Sequence, residues 1–425
     1  MHAWKGEVME LLDSIIQICG VLLALAFWYH SVYHLVGFFA RPVRYGKEAP
    51  HRFGILISAR NEEHVITDLF ESIRSQNYPA DLVRIFVVAD NCTDGTAEVA
   101  RRYGAEVVER FDSIRVGKGY ALDTLVSHIY RTGMNEGIDA YLVFDADNIL
   151  AEDYLQKMND CFAAGEPAVT SYRNSKNMGD NWLSAGYSYG FIHDARFLNN
   201  TRHVLGHAAA ISGTGYLLDS EILDRFRGWP FHGLTEDTEL TCWLIIHGYH
   251  IAYCHDAVFY DEQPVHFKQG WRQRMRWTKG SFSAFREYRG RLLKRAVTHL
   301  DWSAWDILVM NSPMQVLMVA IFGLSFLSWL ITALHPDILA WTYFENFLAS
   351  MLSYIFMFTG LGALTMLKEW KRLPASSAVK IFGTLAYGLF MLFYPAIYLV
   401  SLFKEVTWKP IVHQDAKGIQ TINRD

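Results

Sequence analysis

Residues 84–90, Arg-Ile-Phe-Val-Val-Ala-Asp, and residues 141–147, Tyr-Leu-Val-Phe-Asp-Ala-Asp, share one pattern: an apolar run that stops on a carboxylate. Without polar alternation, such runs read as strands buried on both faces. Phe53–Ser58 (FGILIS) and Ala105–Glu109 (AEVVE) supply two more strands. Helical stretches at about 62–76, 94–103, 119–131 and 151–164 separate them. That alternation predicts an α/β domain built on a parallel, doubly wound sheet. Ligands of such sheets bind beyond the carboxyl ends of the strands. The polar clusters there are Arg60-Asn61-Glu62, Asp90-Asn91 and Asp145-Ala146-Asp147, and all three should gather along one edge.

No GxGxxG follows the first strand and no GxxxxGK[ST] occurs, which argues against a dinucleotide fold or a P-loop. The loops offer carboxylates instead. An i, i+2 pair at a strand end can hold a hard divalent cation, and Mg²⁺ commonly uses one or two carboxylates plus substrate phosphates. Asp94 reads as a helix cap. Asp90–Gly95 imitates a calcium loop, but Arg101 stands where the twelfth-position Glu belongs.

Of 425 residues, 51% are apolar and 20% charged, short of the roughly 25% charge of soluble domains. The excess is concentrated in residues 10–40 and 305–403. The chain therefore divides into an N-terminal transmembrane anchor (1–40), a catalytic domain (41–265), interfacial helices (266–304), a C-terminal transmembrane region (305–403) and a tail (404–425). A net charge of −5 gives no sign of nucleic-acid binding. Five irregularly spaced cysteines oppose a disulfide framework and favour a reducing compartment. Cys242, Cys254 and His255 lack zinc-ligand spacing and read as packing residues.

The run Ile15–Ala40, with its onset near Met9, is too long for a secretory h-region and reads as a retained anchor. Arg41, Arg44, Lys47 and Arg52 follow it, which places the catalytic domain in the cytoplasm of an integral plasma-membrane protein. Further apolar stretches lie at 309–334, 346–367 and 379–403, with the basic loop Lys368–Arg372 expected on the cytoplasmic side. Three full spans would put Lys404, Lys409 and Lys417 outside, against their charge. Gly383, Gly388 and Pro395 suggest a broken, re-entrant last segment and a cytoplasmic tail.

In order, Ser58-Ala59-Arg60-Asn61-Glu62, Val88-Ala89-Asp90, Asp145-Ala146-Asp147, Thr235-Glu236-Asp237 and Gln273-Arg274-Met275-Arg276-Trp277 resemble the D, DxD, TED, QxxRW signature of processive family 2 (GT2) membrane glycosyltransferases. These are the cellulose, chitin, hyaluronan and exopolysaccharide synthases. The resemblance covers roughly residues 50–410 and implies a GT-A-type domain. Asp90-Asn91-Cys92-Thr93-Asp94 departs from the Asp-Asp-Gly-Ser of cellulose-type enzymes, leaving the sugar open.

The resemblance assigns Asp90 and the loop of Arg60 and Glu62 to the uridine of a UDP-sugar, and Asp145 to the nucleotide. It assigns Asp147 to Mg²⁺ or Mn²⁺ and Lys118 to the donor. Asp237 becomes the catalytic base, since an acceptor hydroxyl attacking an α-linked donor needs a carboxylate in reach. One such displacement inverts the anomeric centre and gives a β-linkage. Gln273 and Arg276 would face the diphosphate, with Trp277 beneath the acceptor sugar. Ser212–Gly215 resembles an acceptor-site loop and Val406-Thr407-Trp408-Lys409 part of a gating loop. Ten basic residues against one acid between 268 and 295 read as a helix on an anionic leaflet.

The leading expectation is a processive synthase extending a β-linked polysaccharide, its own growing acceptor, and secreting it through a channel of its helices. One alternative is a non-processive transferase placing one sugar on a lipid. A second is an inactive export or scaffold subunit. Any export or regulatory subunit would be a separate chain, and sugar identity and linkage are set by pocket shape rather than motif.

Overall fold

The computed structural model describes residues 2–334 and 338–407. Eight strands, β1 (Phe53–Ala59), β2 (Val83–Asp90), β3 (Glu106–Arg110), β4 (Ala140–Asp145), β5 (Ile149–Leu150), β6 (Ala168–Ser175), β7 (Tyr216–Asp219) and β8 (Ile251–Asp261), form one sheet in the order β3-β2-β1-β4-β7-β6-β8-β5. The first four strands are parallel and lie within two residues of their expected limits. Leu56, Phe86, Val88, Tyr141 and Val143 face one layer of helices, and Ile55, Ile57, Val87, Leu142 and Phe144 face the other. This two-sided burial accounts for their unbroken apolar runs.

The expected all-parallel sheet needs correcting: it is mixed. β7 runs antiparallel to both β4 and β6, and β5 antiparallel to β8. A parallel neighbour requires a crossover connection, whereas β7 is entered from a loop and is free to run the other way. β6 and β8 carry polar residues at many positions, so they do not share the apolar pattern of β1, β2 and β4.

Among the described residues four helices are long and apolar enough to cross a membrane: Gly6–Phe39, Trp302–Ala333, Ala340–Glu369 and Ser377–Phe403. They meet the catalytic domain through a helical segment that the sequence pattern did not reveal. It comprises Trp182–His193, a π-helical stretch Asp194–Asn199, and Asn200–Val204. This segment is buried nearly all round, so it has no polar stripe to betray it. Gly186 lies against Phe390, Tyr189 donates to the Lys380 carbonyl (2.5 Å), and Thr201 donates to the Tyr33 carbonyl (3.2 Å).

The loop after Ala340–Glu369 returns to the sheet. Tyr172 donates to Glu369 (3.1 Å) and Arg372 to the His255 carbonyl (2.8 Å), so the basic loop is on the catalytic side. The last segment breaks at Phe393 into Ser377–Leu392 and Tyr394–Phe403. Its beginning touches Tyr189, its middle accepts from Arg274 at the Phe390 carbonyl (3.0 Å), and its end accepts from Lys279 at the Ser401 carbonyl (3.1 Å). Tyr398 also donates to the Ser312 carbonyl (3.3 Å), just after the helix Trp302–Asn311. The segment therefore packs along the helices Trp182–His193 and Phe267–Thr298. Of the gating-loop match, Trp408 and Lys409 lie outside the described residues.

A re-entrant last segment has a direct test. In vesicles of defined orientation, with Cys92 replaced by Ser, a membrane-impermeant maleimide should label Glu405→Cys and Ile114→Cys from the same side. Labelling from opposite sides would make the segment a full span.

Candidate active site

The cleft, about 510 Å³, begins where β1, β2 and β4 end. Asn61 and Asn91 turn the chain there in the left-handed region (φ 58° and 55°), which Asn tolerates better than most side chains. Each also stitches a neighbouring loop: Asn61 Oδ1 accepts from Thr93 N (2.8 Å), and Asn91 Oδ1 from Asp112 N (2.9 Å). Asp90, 4% exposed, accepts from Arg110 and from Asn91 Nδ2 (3.0 Å). Arg60 and Glu62 line the same end. Asp94, one residue before the N-cap Gly95 of the next helix, accepts from Thr96 N (3.1 Å) and Thr96 Oγ1 (2.6 Å).

Lys118 opens its helix after Gly117, whose φ of 142° excludes most side chains. Its ammonium pairs with Asp145 and donates to the Gly213 carbonyl (2.8 Å). Burial opposes the charge, but Asp145 and Glu236 outweigh it and hold the Lys118 pKa above its ordinary value. Asp147 is 4% exposed, with Asn148 Nδ2 and Glu262 N each 3.4 Å from its oxygens. Asp145 is committed to Lys118, and no cluster of three His, Cys, Asp or Glu capable of holding a metal exists among the described residues. A hard cation bound through one carboxylate, completed by substrate phosphates, fits this donor set; a cage made only of protein ligands does not.

Thr235-Glu236-Asp237 forms the first turn of Glu236–Ile246, facing Lys118. Burial raises the pKa of Asp237, against the Thr238 N–H (2.8 Å), Arg276 and Lys118. Glu236 is pushed up to about 7, first by burial and then by Asp237. Gln273, Arg276 and Trp277 lie on the helix Phe267–Thr298 and line the cleft opposite. Arg276 donates to the Leu234 carbonyl (2.8 Å), locking this helix to the Thr235–Asp237 turn. One turn on, Gly280 permits that approach, since a Cβ there would collide with Thr235. The Gln273 Oε1 and Thr235 Oγ1 atoms are buried with no hydrogen-bond partner among the described residues. Trp277 packs edge-on against Tyr187 (5.8 Å) and Phe191 (5.9 Å).

All ten residues picked from the sequence, Arg60, Glu62, Asp90, Lys118, Asp145, Asp147, Asp237, Gln273, Arg276 and Trp277, therefore line one cleft. Others in it were missed. Arg173 and Asp261 line it but carry no local motif, whereas Asn148, buried behind it directly after the DxD, could have been suspected. Missed too was the far wall, made by Leu198, Ile307, Met310, Phe390 and Tyr394. It joins the catalytic domain to the apolar helices, a contact no local pattern announces.

Residues 50–280, more than half of the chain, match the family model described as glycosyltransferase like family 2. The chain belongs to this family. The glycosyltransferase is 26% identical over 380 residues to a beta-monoglucosyldiacylglycerol synthase of Synechocystis, covering 84% of this chain and 74% of that one. It is 24% identical over 232 residues to a poly-beta-1,6-N-acetyl-D-glucosamine synthase of Staphylococcus epidermidis, covering 53% of each. Across such curated relatives the chain spans between 53% and 74% of their lengths. A mannosyltransferase of Pyrobaculum calidifontis, solved with GDP-Man and Mn²⁺, superposes with a TM-score of 0.58 at 16% identity, over 92% of this chain and 99% of that one. The fold is thus of the GT-A type, carried with apolar helices on both sides of the catalytic domain.

The raised pKa of Glu236 makes its charge a cost to the fold. That cost is absent below the ordinary value of 4.5 and complete above about 7. Glu236→Gln should raise the unfolding midpoint at pH 8 by about 2–4 °C. The gain should vanish by pH 4.5 in a scan of detergent-solubilised protein.

Proposed function

We infer that this enzyme transfers one sugar from a UDP-sugar to the hydroxyl of a membrane lipid of the diacylglycerol type, with inversion to a β-linkage. The observation that carries this is the continuity of the cleft. It runs from the carboxylates to an apolar wall on the membrane helices, where Met310 lines the cleft and is 37% exposed. Polar residues on this stretch are committed within the protein. Asn199 exchanges hydrogen bonds with the Ala210 N–H (2.9 Å) and carbonyl (3.0 Å), Asn311 donates to the Ile307 carbonyl (2.9 Å), and Arg202 is paired with Asp306. Asp194 lines the same stretch with its carboxylate 59% exposed and paired with His193. Most of what else remains for a ligand is apolar surface, suited to an acyl chain, whereas a sugar polymer needs hydrogen-bonding partners along its path.

In this mechanism Asp90, Arg60 and Glu62 hold the nucleoside, while Lys118 and Arg276 place positive charge at the diphosphate. Mg²⁺ or Mn²⁺ on Asp147 would neutralise the leaving diphosphate. Asp237 accepts the proton of the acceptor hydroxyl as it attacks, and Trp277 backs the acceptor's polar end. Its raised pKa makes Asp237 a better base than a solvated carboxylate. The enzyme works as an integral membrane protein, with the basic flanks Arg41–Arg52 and Lys368–Arg372 keeping the catalytic domain on the cytoplasmic side, where nucleotide sugars are supplied.

A second reading, processive synthesis of a β-linked polysaccharide, is favoured by Gln273, Arg276 and Trp277 standing together in the cleft and by the polysaccharide-synthase relative. An inactive scaffold is disfavoured by the intact carboxylates.

In nanodiscs containing diacylglycerol, with Mn²⁺ and one radiolabelled UDP-sugar at a time, a discrete lipid-extractable monoglycosyl product is expected. Asp237→Asn should lower its formation by about 10²–10⁴-fold. A ladder, or label retained as insoluble polymer, would overturn the single-transfer reading in favour of the processive one.

A further inference from the structure

Asn148 lies directly after the DxD, fully buried and not part of the cleft lining. Its amide Nδ2 reaches Asp147 Oδ1 (3.4 Å) and Asp261 Oδ1 (3.1 Å). Its Oδ1 accepts from Thr214 Oγ1 (2.5 Å) and from the Asp145 N–H (3.2 Å). One side chain thus fixes both DxD residues and joins them to the Ser212–Gly215 loop. The network continues outward. Asp261, 3% exposed, takes the forked Nε and Nη2 of Arg173, whose Nη1 donates to the Ser212 carbonyl (2.9 Å). The Arg173 guanidinium lies 3.8 Å over the ring of Phe191, in the helix that walls the cleft and packs against Trp277.

We propose that Asn148 is a positioning residue for the metal–diphosphate end of the site, and that the Asp261–Arg173 fork ties it to the acceptor wall at Phe191. The inference rests on the reading of Asp145 and Asp147 as the donor carboxylates. A carboxylate left to rotate at the end of β4 would sample orientations unable to hold a cation. The Asn148 amide removes that freedom by donating to Asp147 and Asp261 together, and Asp261 is itself fixed by the Arg173 guanidinium, whose Nε and Nη2 both donate to its Oδ2. Partners of this kind orient metal ligands without touching the metal. The connection to Phe191 means that an acceptor pressing on that wall acts on the same rigid unit.

The test is Mn²⁺ binding, read by electron paramagnetic resonance on the full-length protein in nanodiscs with UDP present and no turnover. Asn148→Ala should weaken Mn²⁺ binding by roughly 10- to 100-fold. Asn148→Asp, equal in shape but lacking the donor, should weaken it at least as much, which separates hydrogen bonding from packing. Arg173→Lys keeps the charge and loses the fork; it should weaken Mn²⁺ binding less, and should abolish any tightening that added diacylglycerol produces in the wild type. Unfolding midpoints of the three variants distinguish lost binding from lost fold. Wild-type Mn²⁺ affinity in both Asn148→Ala and Arg173→Lys would overturn the proposal. Wild-type affinity in Asp147→Asn would instead overturn the donor-site reading, and the proposal with it.

Discussion

Arg202 and Asp306 form an ion pair whose side chains are 3% and 1% exposed, and much of this architecture depends on it. Asp306 also accepts from Tyr29 (2.8 Å) and Tyr33 (3.0 Å) of the first apolar helix. One carboxylate thereby joins the N-terminal apolar helix, the helical segment Trp182–Val204 of the catalytic domain, and the helix Trp302–Asn311. Removing either charge would strand the other in the interior at a cost of about 3–5 kcal/mol. The pair ties the helices that carry Leu198 and Ile307, and so it fixes the far wall of the cleft. A charged donor and a membrane acceptor can meet only if those two halves stay in register.

The near half was legible because its chemistry is local. Strands buried on both faces cannot hide in sequence, and their first polar residues fall at the sheet edge by geometry alone. Asp90, Asp145 and Asp147 follow directly from that rule. Asp237 and the Gln273–Trp277 motif lie far along the chain, on helices whose approach to the sheet depends on Gly280 and the Arg276–Leu234 hydrogen bond. Only the resemblance of the ordered motifs brought them in.

The far half was hidden for an equally physical reason. Trp182–His193 has no polar face because it is enclosed by the sheet on one side and apolar helices on the other. Neither periodicity nor composition separates such a helix from a membrane segment or a core strand. The antiparallel strand β7, four residues long, is likewise too short to show alternation. The glycines and proline of the last segment suggested a break, and the helix is interrupted at Phe393. The preference for a lipid over a polymer arose from these hidden elements, since the motifs alone are common to both chemistries.

A single photolabelling experiment tests the continuous cleft most directly. A diacylglycerol bearing a diazirine near the end of one acyl chain, irradiated with the nanodisc-embedded enzyme and UDP, should leave adducts on the peptides containing Ile307–Met310 and Phe390–Tyr394. Unlabelled diacylglycerol should compete them away. Adducts confined to outward-facing residues such as Leu25 and Phe356, without competition, would contradict an acyl-chain site.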